Sequence, residues 1–253
     1  MSDNQPIKHL RIGVLVPFTN TNLETDMARL LPHDISAHFT RIGGYSLTKI
    51  PDSSQMQKMG AANIEDALQL IAGISPDLVL YGCTSATLTH GLEFDHKLTS
   101  QIKKLTNANA ITAAGALVSS LKTIGAHKIG FASPYVGDVN EQAIQFLFQA
   151  GFDTVKCADI GYAVDSHGQG ALTPDMIYDL ALRADHPDVD AIVMACTDLR
   201  AVEVIEQIEN EIGKPVITSN QAMVFCALKT FGISHYAPKY GRLFELLLTT
   251  TCI

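Results

Sequence analysis

Short runs of apolar residues, each followed by polar residues, recur along the chain. The first occupies residues 11–18, and similar runs occupy residues 77–84, 128–135 and 190–197. Runs of this kind are typical of strands that are buried on both faces of a parallel sheet. Helical patterns lie between them, at residues 59–74, 140–149, 176–183 and 201–212. This alternation predicts an α/β fold built on parallel sheets.

The apolar runs form an internal repeat. Residues 11–18 are repeated at 128–135, and each run stops at a proline, Pro17 or Pro134. Residues 77–84 are repeated at 190–197 with the same spacing from the Asp to the Cys, and Ile-Thr at 111–112 is repeated at 217–218. Three segments repeated in one order indicate two related halves.

We therefore predict two pseudo-symmetric, doubly wound parallel-sheet domains with an active site between them. The expected boundaries are residues 1–112 for the first half and 113–212 for the second, with the chain returning to the first half near residues 213–253. Because no Gly-, Ser- or Pro-rich linker separates the halves, we expect them to pack closely.

Two cysteines stand at equivalent positions of this repeat, Cys83 and Cys196, and a threonine follows each of them. Open parallel sheets bind ligands beyond the carboxyl ends of their strands. If the halves face each other about a pseudo-twofold axis, the two cysteine turns meet across one cleft. Free backbone N–H groups and a following helix would lower the pKa of each thiol and make the thiolate accessible near neutral pH.

The other three cysteines have no partner in the repeat. Cys157, Cys226 and Cys252 are therefore assigned to packing, as small apolar residues.

Three further side chains near the predicted strand ends have candidate roles. Asn20 could bind a substrate carboxylate or could cap the helix that starts near Leu23. Tyr135 has a phenol that could donate a hydrogen bond to a carboxylate. Arg41 is expected in a surface salt bridge.

Composition narrows the range of partners and cofactors. With 26 acidic and 18 basic residues, the net charge of −8 argues against nucleic acid as a partner. No apolar run reaches the roughly 18 to 20 residues of a membrane span. Five cysteines without a CxxC pair favour free thiols and a cytoplasmic location. Without a glycine-rich phosphate loop or a metal-ligand cluster, we expect neither cofactor nor metal.

These motifs resemble the aspartate/glutamate racemase superfamily, in the branch that contains maleate cis-trans isomerase and arylmalonate decarboxylase, and they are most similar to maleate isomerase. The resemblance covers nearly the whole chain. It rests on five segments in one order: the turns at residues 17–21, 83–85 and 133–135, the Cys196-Thr pair, and residues 213–222. In the segment 165–170, isomerase-like members tend to carry Asn where this chain has Ser166.

The resemblance implies a cofactor-free site with Cys83 and Cys196 as catalytic residues, where Asn20, Tyr135 and backbone amides hold the carboxylates of a small dicarboxylic or amino acid. The full expected substrate-binding set is Pro17, Asn20, Thr84, Ser85, Tyr135, Ser166 and Thr197. The expected partner is this small substrate, with no nucleic acid and no membrane, and the expected assembly is a homo-oligomer, either a dimer or a tetramer.

Four functions stay open at this point. An isomerase of maleate type would use Cys83 as the nucleophile that adds to a double bond and Cys196 as the acid that protonates the adjacent carbon. An amino-acid racemase would use the two thiols as base and acid on opposite faces of one carbon. An arylmalonate-type decarboxylase would need only the thiol of the second half, and a non-catalytic binding protein would need neither.

Overall fold

The computed structural model describes residues 9–43, 46, 51–235 and 237–247, and it contains two four-stranded parallel sheets. In the first sheet the strands are β1 (Leu10–Pro17), β2 (Ile35–Ile42), β3 (Leu78–Tyr81) and β4 (Asn109–Thr112), in the spatial order β2-β1-β3-β4. In the second they are β5 (Lys128–Ala132), β6 (Asp153–Ala158), β7 (Ala191–Met194) and β8 (Val216–Thr218), in the order β6-β5-β7-β8. The equal strand orders confirm the predicted pair of α/β domains.

Helices connect the strands of each sheet. The first half contains α1 (Leu23–Leu30), α2 (Ser53–Gly60), α3 (Glu65–Ala72), α4 (Thr84–His90) and α5 (Leu92–Thr106), and α6 (Ala113–Ile124) leads to the second. The second half contains α7 (Asp138–Gln149), α8 (Ser166–Gly170), α9 (Pro174–Ala184), α10 (Ile205–Ile212) and α11 (Ser219–Phe231). Short 3-10 turns lie at Ala201–Glu203, Pro238–Tyr240 and Arg242–Leu247.

The two aspartates at equivalent positions of the repeat, Asp77 and Asp190, form equivalent contacts in the two sheets. Asp77 accepts a hydrogen bond from the backbone N–H of Arg11 at 2.9 Å, and this contact ties the start of β3 to β1. Asp190 does the same for β7 and β5, since it accepts from the N–H groups of His127 and Lys128, both at 2.8 Å. Each pair of central strands is thus held in register at its amino end.

Gly130 shows why the strand needs a residue without a side chain. A Cβ at this position would lie 2.2 Å from the carbonyl oxygen of Ala184, at the end of α9. Only glycine allows the helix and the sheet to approach this closely.

One hydrophobic cluster extends through both halves and joins them. It includes Val14 and Leu80 of the first sheet, Phe131 and Val193 of the second, and Leu117 of α6. Helices α6 and α11 pack against each other. The halves therefore share a core, which agrees with the absence of a linker in the sequence.

The expected domain boundary is wrong at β8. Val216–Thr218 pairs with β7 of the second sheet, whereas the sequence analysis assigned residues from 213 onward to the first half. Because β8 is the repeat equivalent of β4, it completes the second sheet before α11 begins. Helix α11 does contact α1 of the first half, so the chain returns there only after Thr218.

Two predicted helices are interrupted. The pattern at 59–74 is divided between α2 and α3, and the pattern at 201–212 consists of a 3-10 turn followed by α10. Within the described residues, no helix has both the length and the apolar character needed to cross a membrane.

Candidate active site

A cavity lies between the two halves, at the carboxyl ends of β1, β3, β5 and β7. It is lined by all nine predicted site residues, namely Pro17, Asn20, Cys83, Thr84, Ser85, Tyr135, Ser166, Cys196 and Thr197. Five more residues complete the lining: Thr19, Pro51, Met56, Gln169 and Asp198. The cavity is narrow, with a volume of about 30 Å³, and part of it is open to solvent.

Cys83 caps the amino end of α4 with an extended backbone, and only 5% of it is exposed. Burial raises the pKa of its thiol, whereas hydrogen bonds with the backbone N–H of Ala86 and with the Ser85 side chain lower it. Its sulfur lies 3.9 Å from Ser85 Oγ, and Ser85 Oγ in turn donates to Met56 Sδ at 2.8 Å. Cys83 is thus a buried thiol with hydrogen-bonding groups on its cavity side.

The environment of Cys196 differs from that of Cys83, although the two residues are equivalent in the repeat. Eight per cent of it is exposed, and the backbone N–H of Asp198 donates to its sulfur at 3.4 Å. Burial raises the pKa of Cys196 to about 12, and the Asp198 carboxylate adds to the increase. The chain makes a turn after Cys196 and forms no helix there, in contrast with the helix that follows Cys83.

Both thiols therefore depart from the sequence-based expectation of a lowered pKa. That prediction counted the backbone N–H groups and did not count burial, which is the larger effect at both sulfurs. Both cysteines are therefore protonated thiols near neutral pH.

Tyr135 connects the two sulfurs. Its hydroxyl interacts with the Cys196 thiol and with Ser85, and the Ser85 Oγ lies 3.9 Å from the Cys83 sulfur. Burial and the two nearby thiols raise the pKa of Tyr135 well above its usual range, so its phenol stays protonated. A hydroxyl that keeps its proton can donate to a carboxylate or to charge that develops between the two thiols.

Asn20 joins the halves across the cavity. Its Nδ2 donates to Thr197 Oγ1 at 3.0 Å, and Thr197 Oγ1 donates to the carbonyl of Gly82 at 2.8 Å. Its Oδ1 accepts from the N–H groups of Asn22 and Leu23 at the start of α1. The capping role proposed for Asn20 is therefore present, and the same amide also faces the cavity.

Other contacts hold the cavity walls in place. Arg41 forms the expected salt bridge with Glu24 at 2.9 Å, and it also donates to the carbonyl oxygen of Asn20 at 2.9 Å. Thr84 Oγ1 donates to Ser219 Oγ at 2.9 Å, which ties the first cysteine turn to α11. The turn from Pro17 to Asn20 and the turn at Cys83 are both fixed by contacts outside the cavity.

Asp198 is the lining residue that the sequence analysis should have selected. It lies two positions after Cys196, and the equivalent position in the first half is Ser85, which was selected. The repeat therefore contained the signal. Pro51 and Met56 offered no comparable signal, because they belong to a segment that the repeat does not cover.

The remaining cysteines differ in their environments. Cys226 is buried between α6 and α11, as the packing assignment predicts, but Cys157 is exposed on the edge strand β6, so that assignment is wrong. Cys252 lies outside the described residues. The four described cysteines are free thiols. In the described part of the chain, no three His, Cys, Asp or Glu side chains are arranged to hold a metal ion.

Comparisons with known proteins place this arrangement among related enzymes. The family model for arylmalonate decarboxylase matches residues 12–244. A maleate isomerase from Geobacillus stearothermophilus is 26% identical over 250 residues, which cover 93% of this chain and 97% of that protein. An arylmalonate decarboxylase from Bordetella bronchiseptica is 27% identical over 247 residues, which cover 92% of this chain and 96% of that protein.

The fold also matches a solved enzyme with a covalent intermediate. A cysteine-to-serine mutant of the Nocardia farcinica maleate cis-trans isomerase, with a covalently bound succinylcysteine intermediate, superposes with a TM-score of 0.86 and 26% identity. The match covers 94% of this chain and 98% of that one.

Proposed function

The chain belongs to the arylmalonate decarboxylase family, and from that premise we propose that it is a cofactor-independent isomerase that converts maleate to its trans isomer. The observation that carries the proposal is the position of Cys83 and Cys196, two thiols from equivalent strand ends that line one cavity. The maleate isomerases among its relatives, one of which forms a succinylcysteine, support the same chemistry.

In this mechanism Cys83 first releases its proton to water, and its thiolate sulfur then adds to one carbon of the double bond. The carbon–sulfur bond forms as the π bond breaks, and the electron pair moves to the adjacent carbon, where the neighbouring carboxylate delocalises it. Cys196 then donates its proton to that carbon, which gives a succinyl thioether on Cys83 and a thiolate on Cys196.

The second half of the reaction reverses these bonds. The former double bond is now a single bond between the two central carbons, and rotation about it brings the two carboxylates to opposite sides. The Cys196 thiolate takes the proton back, the carbon–sulfur bond breaks, and the trans double bond forms as Cys83 leaves as a thiolate. Cys83 takes a proton back from water at the end of the cycle, so atoms and electrons balance and no oxidant or reductant is consumed.

Neutral hydrogen-bond donors supply the recognition of the carboxylates. Hydroxyl and amide groups line the cavity at Asn20, Thr84, Ser85, Tyr135 and Thr197. Of these, the Asn20 amide and the Tyr135 hydroxyl are the donors for a carboxylate, because the Thr84, Ser85 and Thr197 hydroxyls donate to Ser219, Met56 and Gly82. Charged acceptors form strong hydrogen bonds with such donors in a buried site. We assign the substrate-binding role to these residues together with Pro17 and Ser166.

The test is a proton NMR time course with maleate in heavy water. We expect the signal of the trans isomer to grow, and we expect Cys83→Ser and Cys196→Ser each to reduce turnover by roughly three orders of magnitude or more. The matched control is Cys157→Ser, which replaces an exposed thiol outside the cavity and should leave turnover unchanged.

Intact-protein mass after incubation with maleate provides the second measurement. In Cys196→Ala, water must supply the proton to the adjacent carbon, and the succinyl adduct on Cys83 should accumulate because no Cys196 thiolate removes that proton again; Cys83→Ser should form no adduct. Incorporation of deuterium at the α-carbon of an amino acid would identify a racemase instead, and release of carbon dioxide from an arylmalonate would identify a decarboxylase. Full activity in both cysteine variants would exclude the mechanism.

The proposal extends to location and assembly. Free thiols among the described residues fit a reducing compartment, so we place the protein in the cytoplasm. We also propose that the chain forms a homo-oligomer, either a dimer or a tetramer. Light scattering on the purified protein measures the assembly directly.

A further inference from the structure

Helices α6 and α11 occupy equivalent places in the repeat but begin with different residues. Helix α6 follows β4 and begins with Ala113 and Ala114, whereas α11 follows β8 and begins with Ser219 and Asn220. All four residues are buried. Two alanines suffice to begin such a helix in the first half, because they favour the helix and bury no polar side chain. The polar pair in α11 therefore requires a different explanation.

The polar pair of α11 contacts both cysteine turns. Ser219 Oγ accepts a hydrogen bond from Thr84 Oγ1 at 2.9 Å, and Thr84 is the residue after the cavity cysteine of the first half. Asn220 Nδ2 donates to the carbonyl oxygen of Thr197 at 3.0 Å, and Thr197 is the residue after the cavity cysteine of the second half. Consecutive residues of one helix thus hold the neighbours of the two thiols.

We propose that Ser219 and Asn220 are positioning residues, which set the places of the two catalytic thiols relative to each other through one hydrogen bond to the residue after each thiol. Among the described residues, neither of them belongs to the lining of the cavity, so they act through Thr84 and Thr197. The meaning of this arrangement for catalysis rests on the proposed function, but the contacts themselves can be tested without turnover.

Asp26 of α1 fixes the orientation of the Asn220 amide. Its Oδ2 accepts a hydrogen bond from Asn220 Nδ2 at 2.7 Å. A charged carboxyl group can only accept, so the amide turns its NH₂ group towards Asp26, and the second N–H of that group bonds to the Thr197 carbonyl. Asn220 Oδ1 is left buried without a hydrogen-bond partner among the described residues. An unpaired buried acceptor costs stability, so stability alone does not explain Asn220.

A closed ring of hydrogen bonds surrounds the turn of the second thiol. Asn20, which caps α1, donates to Thr197 Oγ1 at 3.0 Å. Asn220 closes the ring, because it bonds both to the Thr197 carbonyl and to Asp26, which belongs to the same helix α1. The turn is therefore held from α1 and from α11 at once, and the loss of Asn220 would remove the second of these supports.

The reaction is sensitive to the places of the thiols. Addition and proton transfer both need a sulfur close to a carbon of the substrate, and a misplacement of about 1 Å can slow such steps by roughly a hundredfold. The donors for the substrate carboxylates, Asn20 and Tyr135, have contacts of their own that do not involve α11. Loss of the α11 contacts should therefore lower kcat more than it changes KM.

The experiment measures kcat and KM for maleate, together with the free energy of unfolding, in Ser219→Ala and Asn220→Ala. It is carried out at alkaline pH, where Asp26 is charged. We expect kcat to fall by roughly tenfold to a hundredfold in each variant, with KM changed by less than about threefold. The matched control is Ser120→Ala, which removes a buried hydroxyl of α6 that contacts Cys226 and neither cysteine turn among the described residues. It should keep its kcat.

An exchange of the two polar groups separates stability from positioning. Asn220→Asp places two carboxyl groups against each other and should lower both the free energy of unfolding and kcat. The double variant Asp26→Asn/Asn220→Asp restores one pair of an amide and a carboxylate, so its stability should recover. A charged carboxyl group at position 220 has no proton for the Thr197 carbonyl, so kcat should stay low.

Alkylation by iodoacetamide provides a measurement that needs no turnover, with the modified peptides quantified separately by mass spectrometry. Ser219→Ala should speed the alkylation of Cys83 by roughly threefold to tenfold, because a loosened turn exposes its buried thiol. Asn220→Ala should do the same for Cys196, and in each variant the rate at the other thiol should change little. If Asn220→Ala does not fold, Ser219→Ala decides the first contact and the double variant decides the second.

Three results would overturn the inference: an unchanged kcat in Ser219→Ala and Asn220→Ala, a kcat that recovers together with stability in the double variant, or an equal change at both thiols in each alanine variant. Failure of the proposed function looks different, because the unmodified protein would then not isomerise maleate while each thiol still responded to its own contact. The two ideas can therefore fail independently.

Discussion

Asn20 Nδ2 donates a hydrogen bond to Thr197 Oγ1 at 3.0 Å, and this bond crosses from the first half of the chain to the second. It joins the turn after β1 to the residue that follows Cys196. Because Asn20 also accepts from the N–H groups at the start of α1, one side chain sets both the position of that helix and the width of the cavity.

Replacing Asn20 should therefore affect both stability and catalysis. We expect Asn20→Ala to lower the free energy of unfolding by about 1–2 kcal/mol, because a helix cap and a buried hydrogen bond are lost. Turnover of maleate should fall by roughly tenfold to a hundredfold, since both walls of the cavity lose their alignment. Urea unfolding and initial rates measure the two effects.

Asn63 provides the control for this variant. It is exposed, and it accepts a hydrogen bond from the N–H of Glu65 at 2.9 Å at the start of α3, away from the cavity. Asn63→Ala should lose stability and keep its turnover. Equal losses of turnover in both variants would show that Asn20 acts only through stability.

Tyr135→Phe tests the hydroxyl between the two thiols. The variant keeps the ring in its buried place and removes the contacts with Cys196 and Ser85. We expect kcat to fall by roughly a hundredfold, as for other lost donors to developing charge, with a smaller change in KM. Tyr162→Phe alters an exposed hydroxyl and should have no effect. A loss confined to KM would restrict Tyr135 to ground-state binding.

The rate of isomerisation should rise with pH. Cys83 must lose its proton before it adds to the substrate, and burial holds its pKa above the usual range. Cys196 must keep its proton, and its pKa of about 12 keeps it protonated over the range in which most proteins are stable. Initial rates at a series of pH values should therefore increase from neutral to alkaline pH. A rate that falls as pH rises from neutrality would show that Cys196 ionises early.

Much of the fold and the composition of the cavity could be predicted from the repeat. The strands β1, β3, β5 and β7 lie where the apolar runs placed them, and the nine selected residues line one cavity. Parallel strands bring their carboxyl ends to the same edge, so equivalent turns in two halves can meet.

The properties that depend on burial could not be predicted in this way. The pattern around Cys83 and Cys196 shows nearby N–H groups, but the degree of burial that raises their pKa values follows from the packing of both halves. Met56 reaches the cavity from α2, which has no counterpart in the repeat. The assignment of β8 to the first half was an error of the boundary and not of the pattern, because the repeat already paired residues 217–218 with residues 111–112.

Asp26 gives a prediction about stability and pH. Only 1% of this residue is exposed, and burial raises its pKa to about 7, although the Asn220 side chain and Arg29 lower it. Asn220 Nδ2 donates to Asp26 Oδ2 at 2.7 Å, while Asn220 Oδ1 is buried without a hydrogen-bond partner among the described residues. A charged Asp26 has no proton to donate, so Asn220 Oδ1 has no hydrogen-bond donor among the described residues.

Asp26→Asn should therefore stabilise the protein at alkaline pH and not in acid. The pKa of Asp26 is higher in the folded state than in the unfolded state. The free energy of unfolding therefore falls as pH rises from about 4 to about 7, and Asp26 causes no further fall above pH 7. An asparagine carries no charge, and its amide can donate to Asn220 Oδ1. We expect a gain of about 2 kcal/mol in the free energy of unfolding at alkaline pH. This gain should disappear below the pKa that Asp26 has in the unfolded chain. Urea unfolding at several pH values measures it, with Asp34→Asn, an exposed carboxyl, as the control. A loss of stability at alkaline pH would show instead that the charged pair of Asp26 and Arg29 outweighs the cost of burial.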